Sequence, residues 1–338
     1  MQATLIYGPG DIRVETVEDP KILAPTDATI RLAATCVCGS DLWDYRGINP
    51  VSQPHPMGHE YAGIVEEVGS AVTTVRPGDF VIGSFFASDN TCPICQAGYH
   101  TSCLHREFVG GAQAERMRVP LADGTLVATP GLPTPDLVPS LLAASDVLGT
   151  GWFAAVAAEV GPGKTVAVVG DGAVGLLGVL AAKELGAERI IAVSRHEPRQ
   201  ELARQFGATD IVTERGREGI ARIKELTAGL GAHSVIEAVG TQESMMQAIG
   251  SCRPGGHVGF VGVAHGVSIP GDEFFYSHVH LHGGPAPVRR FLPDLIQRIW
   301  ERRIEPGKVF DLALPLAQAA EAYQAMDQRT AIKALLQP

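Results

Sequence analysis

The second half of the chain alternates buried apolar strands with helices, and this alternation constrains the possible fold more than any other feature. Predicted strands cover residues 165–169, 189–193, 210–212, 234–238, 257–261 and about 279–281, and the helices predicted between them include residues 174–185, 198–206 and 219–227. Strand, helix and strand in regular succession produce a parallel, doubly wound sheet. The sequence therefore predicts an α/β architecture for this half.

The first half has a different pattern. Up to about residue 145, short β-branched runs such as 28–33, 61–68 and 79–82 are separated by Pro and Gly turn signals, which predicts an all-β domain. After residue 285, two amphipathic helices, 291–302 and 316–326, precede a last strand at 331–336. The pattern leaves open whether this tail extends the parallel sheet or returns to the first domain.

Composition excludes some classes of protein. The 338 residues carry 27 Lys or Arg and 37 Asp or Glu, a formal charge of 27 − 37 = −10, which argues against a nucleic-acid partner. With 45% hydrophobic and 19% charged residues, the chain can bury the cores of two domains. No apolar stretch reaches the roughly 18 residues of a membrane span, and the start lacks a signal-peptide pattern. We therefore expect a soluble, cytoplasmic protein with no membrane partner.

A glycine-rich loop lies directly after the first predicted strand of the parallel sheet and directly before a helix. Its G-x-G-x-x-G pattern consists of Gly170, Gly172, Ala173, Val174 and Gly175, with Asp171 between the first two glycines. In such a loop the glycines allow a tight turn, a close backbone approach to a pyrophosphate and close packing of helix on strand. The loop predicts a dinucleotide site.

The end of the second strand indicates which dinucleotide. An acidic residue that binds the adenosine ribose of NAD is usual about 20 positions on. Ser194 stands there instead, 19 residues after Gly175, and Arg195, His196 and Arg199 follow. A serine hydroxyl and guanidinium groups would hydrogen-bond to a 2′-phosphate, so the sequence favours NADP(H) over NAD. A solvated face is the alternative for these arginines.

Three of the six cysteines form a cluster with metal-ligand spacing. Cys92, Cys95 and Cys103 lie in a turn-rich segment, and Asp89, three residues before Cys92, could complete a tetrahedral site for a structural zinc. His100 and His105 are rivals for the fourth position. Cys38 and His59 are a further thiol and imidazole suited to zinc, with Glu60 beside them, although either could equally be a packed core residue.

Taken together, these motifs resemble those of the zinc-dependent medium-chain dehydrogenases, the alcohol dehydrogenase superfamily. The resemblance covers essentially the whole chain, from Cys-Gly-Ser-Asp at residues 38–41 and Gly-His-Glu-Tyr-Ala-Gly at 58–63 to Ile-Lys-Ala-Leu-Leu at 332–336. It implies a GroES-like β-barrel catalytic domain at 1–148 and 287–338, and a Rossmann domain at 149–286. It also implies an active site in the cleft between them.

The resemblance further implies roles for single residues. Cys38, His59 and Asp146 match the ligands of a catalytic zinc, and Glu60 matches a glutamate that can approach the metal. Asp41 matches the carboxylate that orients the zinc-bound imidazole, and Ser40 the hydroxyl that begins a proton relay. Thr150 and Lys333 match residues at the cofactor. The substrate pocket is expected at Trp43, Phe85 and Trp152.

Two departures from the family pattern stand out. Asp89 replaces the first of four structural cysteines, and Trp43 replaces a histidine at the end of the proton relay, where an indole cannot accept a proton.

We expect a zinc-dependent, NADP-preferring oxidoreductase that interconverts a small-molecule alcohol and its aldehyde or ketone, and that forms a homodimer or homotetramer. The alternatives are a zinc-free, quinone-reductase-like or non-enzymatic NADPH-binding member of the superfamily, and an NAD-dependent polyol or threonine dehydrogenase.

Overall fold

The computed structural model describes all 338 residues, which divide into two units. Unit 1 comprises Met1–Gly149 and Pro287–Pro338, and unit 2 comprises Thr150–Ala286. The strands are β1 (Gln2–Gly8), β2 (Asp11–Thr16), β3 (Ala28–Cys36), β4 (His55–Pro56), β5 (Tyr61–Val68), β6 (Phe80–Gly83), β7 (Phe86–Ala87), β8 (Glu107–Phe108), β9 (Arg116–Val119), β10 (Leu126–Ala128), β11 (Thr165–Val169), β12 (Arg189–Val193), β13 (Asp210–Val212), β14 (Ala232–Glu237), β15 (Cys252–Phe260), β16 (His280–Gly283), β17 (Leu312–Pro315) and β18 (Ala334–Gln337).

The helices include several that the sequence patterns do not predict. They are α1 (Asp41–Tyr45), α2 (Pro93–Gln96), α3 (Ala122–Thr125), α4 (Val138–Ala144), α5 (Val147–Ala157), α6 (Ala173–Glu184), α7 (Glu197–Phe206), α8 (Gly216–Leu226), α9 (Gln242–Ser251), α10 (Gly271–Ser277), α11 (Val288–Trp300) and α12 (Ala319–Asp327). No helix alone has the length and apolar composition of a membrane span, although the bent pair Pro135–Ala144 and Val147–Ala157 meets both measures when taken together.

Unit 2 is a six-stranded, wholly parallel sheet in the order β13-β12-β11-β14-β15-β16. Strand β11 is buried after its first residue, as expected for a central strand with helices on both faces. The order reverses at β11, and the loop after this strand is where an open α/β sheet binds its ligand. The predicted doubly wound sheet is confirmed.

Unit 1 is mostly β-structure. A seven-stranded sheet has the order β10-β6-β5-β3-β18-β17, with β9 also paired to β3, and β2-β1-β4 form a second, three-stranded sheet. Because Leu335 of β18 pairs with Cys36 of β3, the C-terminal tail returns to the first domain.

The expectation of an all-β region up to residue 145 is wrong at its end. Residues of α4 are helical, and this helix is buried from Ser140 to Ala144. Its run of Leu and Ala has high helix propensity, which outweighs the strand pattern of the preceding segments.

Candidate active site

Four predicted site residues converge inside unit 1. The ligand atoms of Cys38, His59, Glu60 and Asp146 all lie within 4.8 Å of one another, and all four side chains are buried. Asp146 Oδ2 is 3.9 Å from Cys38 Sγ and 3.2 Å from His59 Nε2. Thiolate, imidazole and carboxylate are the donors that a catalytic zinc takes from a protein, so these residues fit the metal that the family implies.

The local fold explains how these side chains reach one place. Cys38 follows the end of β3, and its N–H donates to Asp41 Oδ2 at 2.9 Å. His59 follows Gly58, whose φ of +88° and close approach to Gln113 leave no room for a side chain. Asp146 lies between α4 and α5.

Asp41 has the orienting position that the resemblance implies. Its Oδ1 is 3.2 Å from His59 Nδ1, and its Oδ2 also accepts from Gln113 Nε2 at 3.2 Å. Tyr323 in turn donates to Gln113 Oε1 at 3.1 Å. Because Nδ1 bonds to Asp41, the Nε2 atom of His59 faces the other donors.

Burial and charge shift the acid–base properties of these groups. Burial raises the pKa of the Cys38 thiol. Burial opposes the charged form of His59, but Asp41 and Cys38 outweigh it and raise the pKa of His59 well above its usual value. A bound cation would stabilise the anionic forms of Cys38 and Asp146 that an apolar interior otherwise disfavours.

Glu60 and Lys333 form a buried ion pair beside the donors. Lys333 Nζ is 2.6 Å from Glu60 Oε1 and also donates to the carbonyl of Val37 at 3.2 Å. Glu60 Oε2 is buried and has no hydrogen-bond partner. This orphaned oxygen gives Glu60 a free acceptor next to the metal donors.

The remaining residues predicted near the catalytic centre are distributed over both units. Phe85 packs edge-on to His59 with ring centroids 6.1 Å apart, and Phe108, which the sequence patterns did not single out, lies 5.8 Å from the same imidazole. Ser40 precedes α1 and Trp43 lies on it. Thr150 and Trp152 belong to unit 2.

The cysteine cluster also assembles. The ligand atoms of Asp89, Cys92, Cys95 and Cys103 lie within 4.8 Å of one another, and Cys92 Sγ is 3.9 Å from Cys103 Sγ. Backbone N–H groups lower the pKa of Cys92 to about 7, which favours the thiolate that a metal binds.

Neither rival histidine takes the fourth position of this cluster. His100 Nε2 bonds to Asn90 Oδ1 at 2.8 Å, and His105 Nδ1 bonds to Asp89 Oδ2 at 2.6 Å. Burial alone would raise the pKa of Asp89, but hydrogen bonds from the Cys92 N–H and from His105 outweigh this effect and hold the pKa below its usual value. The carboxylate is therefore ionised and available to a cation.

The glycine-rich loop of unit 2 has the geometry of a phosphate site. Gly170 has a φ of +125°, and a Cβ on Gly175 would lie 2.0 Å from the Gly170 carbonyl oxygen. A Cβ on Gly172 would meet nothing within 4 Å, so this residue leaves open space at the start of α6, which continues through Ala173 and Val174. The first turn of a helix favours an anion there.

Asp171 is a residue of this loop to which the sequence analysis gave no role. Ser194 Oγ donates to Asp171 Oδ2 at 2.8 Å, and Arg199 Nη1 donates to the Asp171 carbonyl at 3.1 Å and lies 3.6 Å from Oδ1. Arg195 is exposed, with Nε donating to the Thr213 carbonyl at 3.1 Å. His196 occupies the N-cap position of α7 but makes no side-chain capping hydrogen bond. Asp171 could have been singled out from the sequence, because it is an acidic residue between the first two glycines of the loop.

Comparisons with known proteins identify the family of this chain. Residues 24–131 match the family model of the alcohol dehydrogenase GroES-like domain, and residues 173–299 match that of zinc-binding dehydrogenases. A probable zinc-binding alcohol dehydrogenase of Mycobacterium tuberculosis is 37% identical over 96% of this chain and 84% of its own length. This chain belongs to the zinc-dependent medium-chain dehydrogenase family.

Solved structures of the family share the whole fold. Alcohol dehydrogenase TADH from Thermus sp. ATN1 superposes with a TM-score of 0.91 at 31% identity, covering 100% of this chain and 99% of that one. A putative zinc-binding dehydrogenase from Sinorhizobium meliloti, bound to NADP, has a TM-score of 0.85 at 26% identity, covering 100% and 99%. The GroES-like and Rossmann assignments are therefore confirmed, and the protein is an oxidoreductase of the alcohol dehydrogenase type.

Proposed function

We propose that this protein interconverts an apolar alcohol and its aldehyde or ketone, with NADP(H) as its preferred cofactor. The observation that carries the proposal is the buried convergence of Cys38, His59 and Asp146, which is a complete set of protein ligands for a catalytic zinc. A zinc ion held there would act as a Lewis acid that lowers the pKa of an alcohol, and a bound nicotinamide would supply the hydride acceptor.

The chain's own residues supply orientation and proton transfer. Asp41 holds the tautomer of His59 through Nδ1. Ser40 follows Cys38 by two residues and has a hydroxyl that can both accept and donate, so we assign to its Oγ the removal of the alcohol proton. Because the indole of Trp43 cannot accept this proton, the proton passes from Ser40 Oγ to water.

Aromatic side chains define the substrate class. The rings of Phe85 and Phe108 pack against His59 and present apolar surface beside the metal donors. Such surface excludes water and favours an apolar alcohol over a polyol. Trp43 is a further proposed wall of the substrate pocket.

The preference for NADP(H) rests on the second strand of unit 2. Ser194 takes the place of the acidic residue that NAD-binding folds use. The guanidinium group of Arg199 lies 3.6 Å from the Asp171 carboxylate, and the exposed Arg195 beside Ser194 adds a second cation that no carboxylate pairs with. The S. meliloti structural relative is described as bound to NADP. A charge-assisted bond to the 2′-phosphate would favour NADP(H) over NAD(H) by about tenfold or more.

A cysteine variant tests the metal part of the proposal. Cys38→Ser should remove about one zinc per chain and abolish oxidation of a panel of primary, secondary, cyclic and aromatic alcohols. Cys252→Ser is the matched control, because Cys252 is also buried but lies in unit 2 outside both clusters. Unchanged turnover in Cys38→Ser would refute the assignment.

Cofactor choice is tested separately by measuring kcat/KM with NADP⁺ and with NAD⁺. The wild type should prefer NADP⁺, and the double variant Ser194→Asp with Arg195→Gln should prefer NAD⁺, because repulsion is added and attraction removed. Equal values for the two cofactors in the wild type would contradict the preference without affecting the zinc assignment.

A further inference from the structure

A pocket of about 460 Å³ lies within unit 1, between the cysteine-bearing loop and the first turn of α11. Its lining residues are Asn90, Cys95, Gln96, Ala97, Gly98, His100, Arg289 and Arg290. The lining is mainly polar, and its charged members are cationic. No part of this pocket belongs to the proposed catalytic centre or to the nucleotide loop.

The two arginines of this pocket, Arg289 and Arg290, lack acidic partners. Neither has a carboxylate within 4.0 Å, whereas most arginines of the chain pair with an aspartate or glutamate. Arg289 Nε is buried without a hydrogen-bond partner, and burial lowers the pKa of its guanidinium. A buried, unpaired cation is costly for a protein, and a bound anion would remove that cost.

His100 adds a third nitrogen-bearing side chain to the same pocket. Its side chain is only 6% exposed, its Nε2 bonds to Asn90, and its Nδ1 is buried with no hydrogen-bond partner. Burial and the charges of Arg289 and Arg290 lower the pKa of His100 and favour its neutral form, so the cations of the pocket are the two arginines.

The nearby carboxylate of Asp89 belongs to the cysteine cluster and pairs with neither arginine. Asp89 accepts the N–H groups of Thr91 and Cys92 at 2.9 and 3.0 Å and bonds to His105. Gly98 has a φ of +90°, and a Cβ there would lie 3.2 Å from Arg290 Cδ and Nη1. The glycine therefore lets the Arg290 side chain lie over the loop at the pocket.

We propose that this pocket binds the phosphate group of a small anion. Two guanidinium groups can each form two parallel bonds to phosphate oxygens, and the N-terminus of the 13-residue helix α11 adds positive potential. Because His100 Nε2 donates to Asn90 Oδ1, the unpaired Nδ1 of the neutral ring is an acceptor, and it can take a hydrogen bond from the hydroxyl of a monoprotonated phosphate. Free phosphate and a phosphate monoester would offer the same chemistry to these groups.

Calorimetric titration of the zinc-loaded full chain tests this site. With inorganic phosphate as the probe, we expect one phosphate bound per chain in this pocket. The dissociation constant of Arg289→Gln should be at least about tenfold larger than that of the wild type. Arg290→Gln should weaken phosphate binding similarly, and because Arg290 is exposed this variant tests the site even if Arg289→Gln fails to fold. Zinc content and circular dichroism check that the variants are folded.

Arg195→Gln is the matched control for phosphate bound at the nucleotide loop, and it should leave this site unchanged. Methyl phosphate distinguishes a phosphate monoester from free phosphate as the ligand of this pocket. If methyl phosphate binds more tightly than inorganic phosphate, the ligand is a phosphorylated small molecule. If it binds equally or more weakly, the ligand is free phosphate. The proposal is overturned if no phosphate binds, if neither Arg289→Gln nor Arg290→Gln weakens binding, or if acetate binds more tightly than phosphate.

Discussion

Lys333 Nζ lies 2.6 Å from Glu60 Oε1, and the two side chains are only 1% and 0% exposed. The pair joins the C-terminal segment just before β18 to the residue that follows His59, a proposed zinc ligand. Burial opposes the charged form of Lys333, but the acidic groups of Cys36 and Glu60 outweigh it and raise the pKa of Lys333 well above its usual value. The lysine thus stays protonated and holds Glu60 beside the metal donors.

Removing one member of this pair should destabilise the fold strongly. In Lys333→Met, Glu60 becomes a buried, uncompensated carboxylate, and the free energy of unfolding should fall by about 3–5 kcal/mol in urea titrations at pH 7. The double variant Glu60→Gln with Lys333→Met should recover most of this loss, because no unpaired charge remains. A double variant as unstable as Lys333→Met would show that the charge pairing is not the cause.

The cysteine cluster should be a structural zinc site. Cys103→Ser should reduce zinc from two to one per chain and lower the free energy of unfolding by about 3–4 kcal/mol, the contribution of a ligand present at 100 to 1,000 times its dissociation constant. The folded fraction should keep its kcat with alcohol. Metal analysis and thermal unfolding measure the loss of zinc and of stability, with Cys252→Ser as the control. Wild-type protein with a single zinc after chelator-free purification would argue against this site.

Asp171 should reduce the affinity for NADP⁺. Its carboxylate lies beside Ser194 and Arg199, where it would repel a 2′-phosphate and competes for the arginine. Asp171→Asn should strengthen NADP⁺ binding about fivefold and leave NAD⁺ binding nearly unchanged, as measured by fluorescence titration of both cofactors. Weaker NADP⁺ binding in this variant would mean that the carboxylate instead positions Ser194 and Arg199.

The pair Asp210 and Arg189 should make the stability of unit 2 dependent on pH. Arg189 donates to both carboxylate oxygens at 2.7 and 2.8 Å, and these bonds lower the pKa of Asp210. The stabilisation is complete above the unfolded pKa of about 3.9 and is lost as the pH falls through the lower folded value. Wild type should therefore exceed Asp210→Asn by about 1 kcal/mol at pH 7, and the difference should shrink below about pH 4.

Urea titrations of both proteins between pH 7 and pH 3 check this dependence. Loss of metal at low pH affects both proteins alike, so their difference isolates the Asp210 carboxylate. A difference that stays constant down to pH 3, or grows, would contradict the assignment.

Local patterns in the sequence predicted the elements of unit 2 and the candidate ligands Cys92, Cys95, Cys103 and Asp89, whereas Asp146 was predicted from the family resemblance. Strands β11, β12 and β13 have the predicted bounds, because a buried apolar run between turn signals is a local property. The glycine loop and the Cys92–Cys95–Cys103 spacing are local in the same sense.

Only the tertiary structure decided which distant residues meet. Lys333 lies 273 positions from Glu60, so the contact between them depends on how helices and strands pack. The same holds for Arg289 beside His100. The resemblance to the family implied that Asp146 joins Cys38 and that the C-terminal tail belongs to the first domain, but the contacts that achieve this, across 108 positions and between β18 and β3, are visible only in the structure. The local propensities of a segment do not predict contacts between distant residues. Sheet pairing and burial across the whole chain determine which side chains face one another.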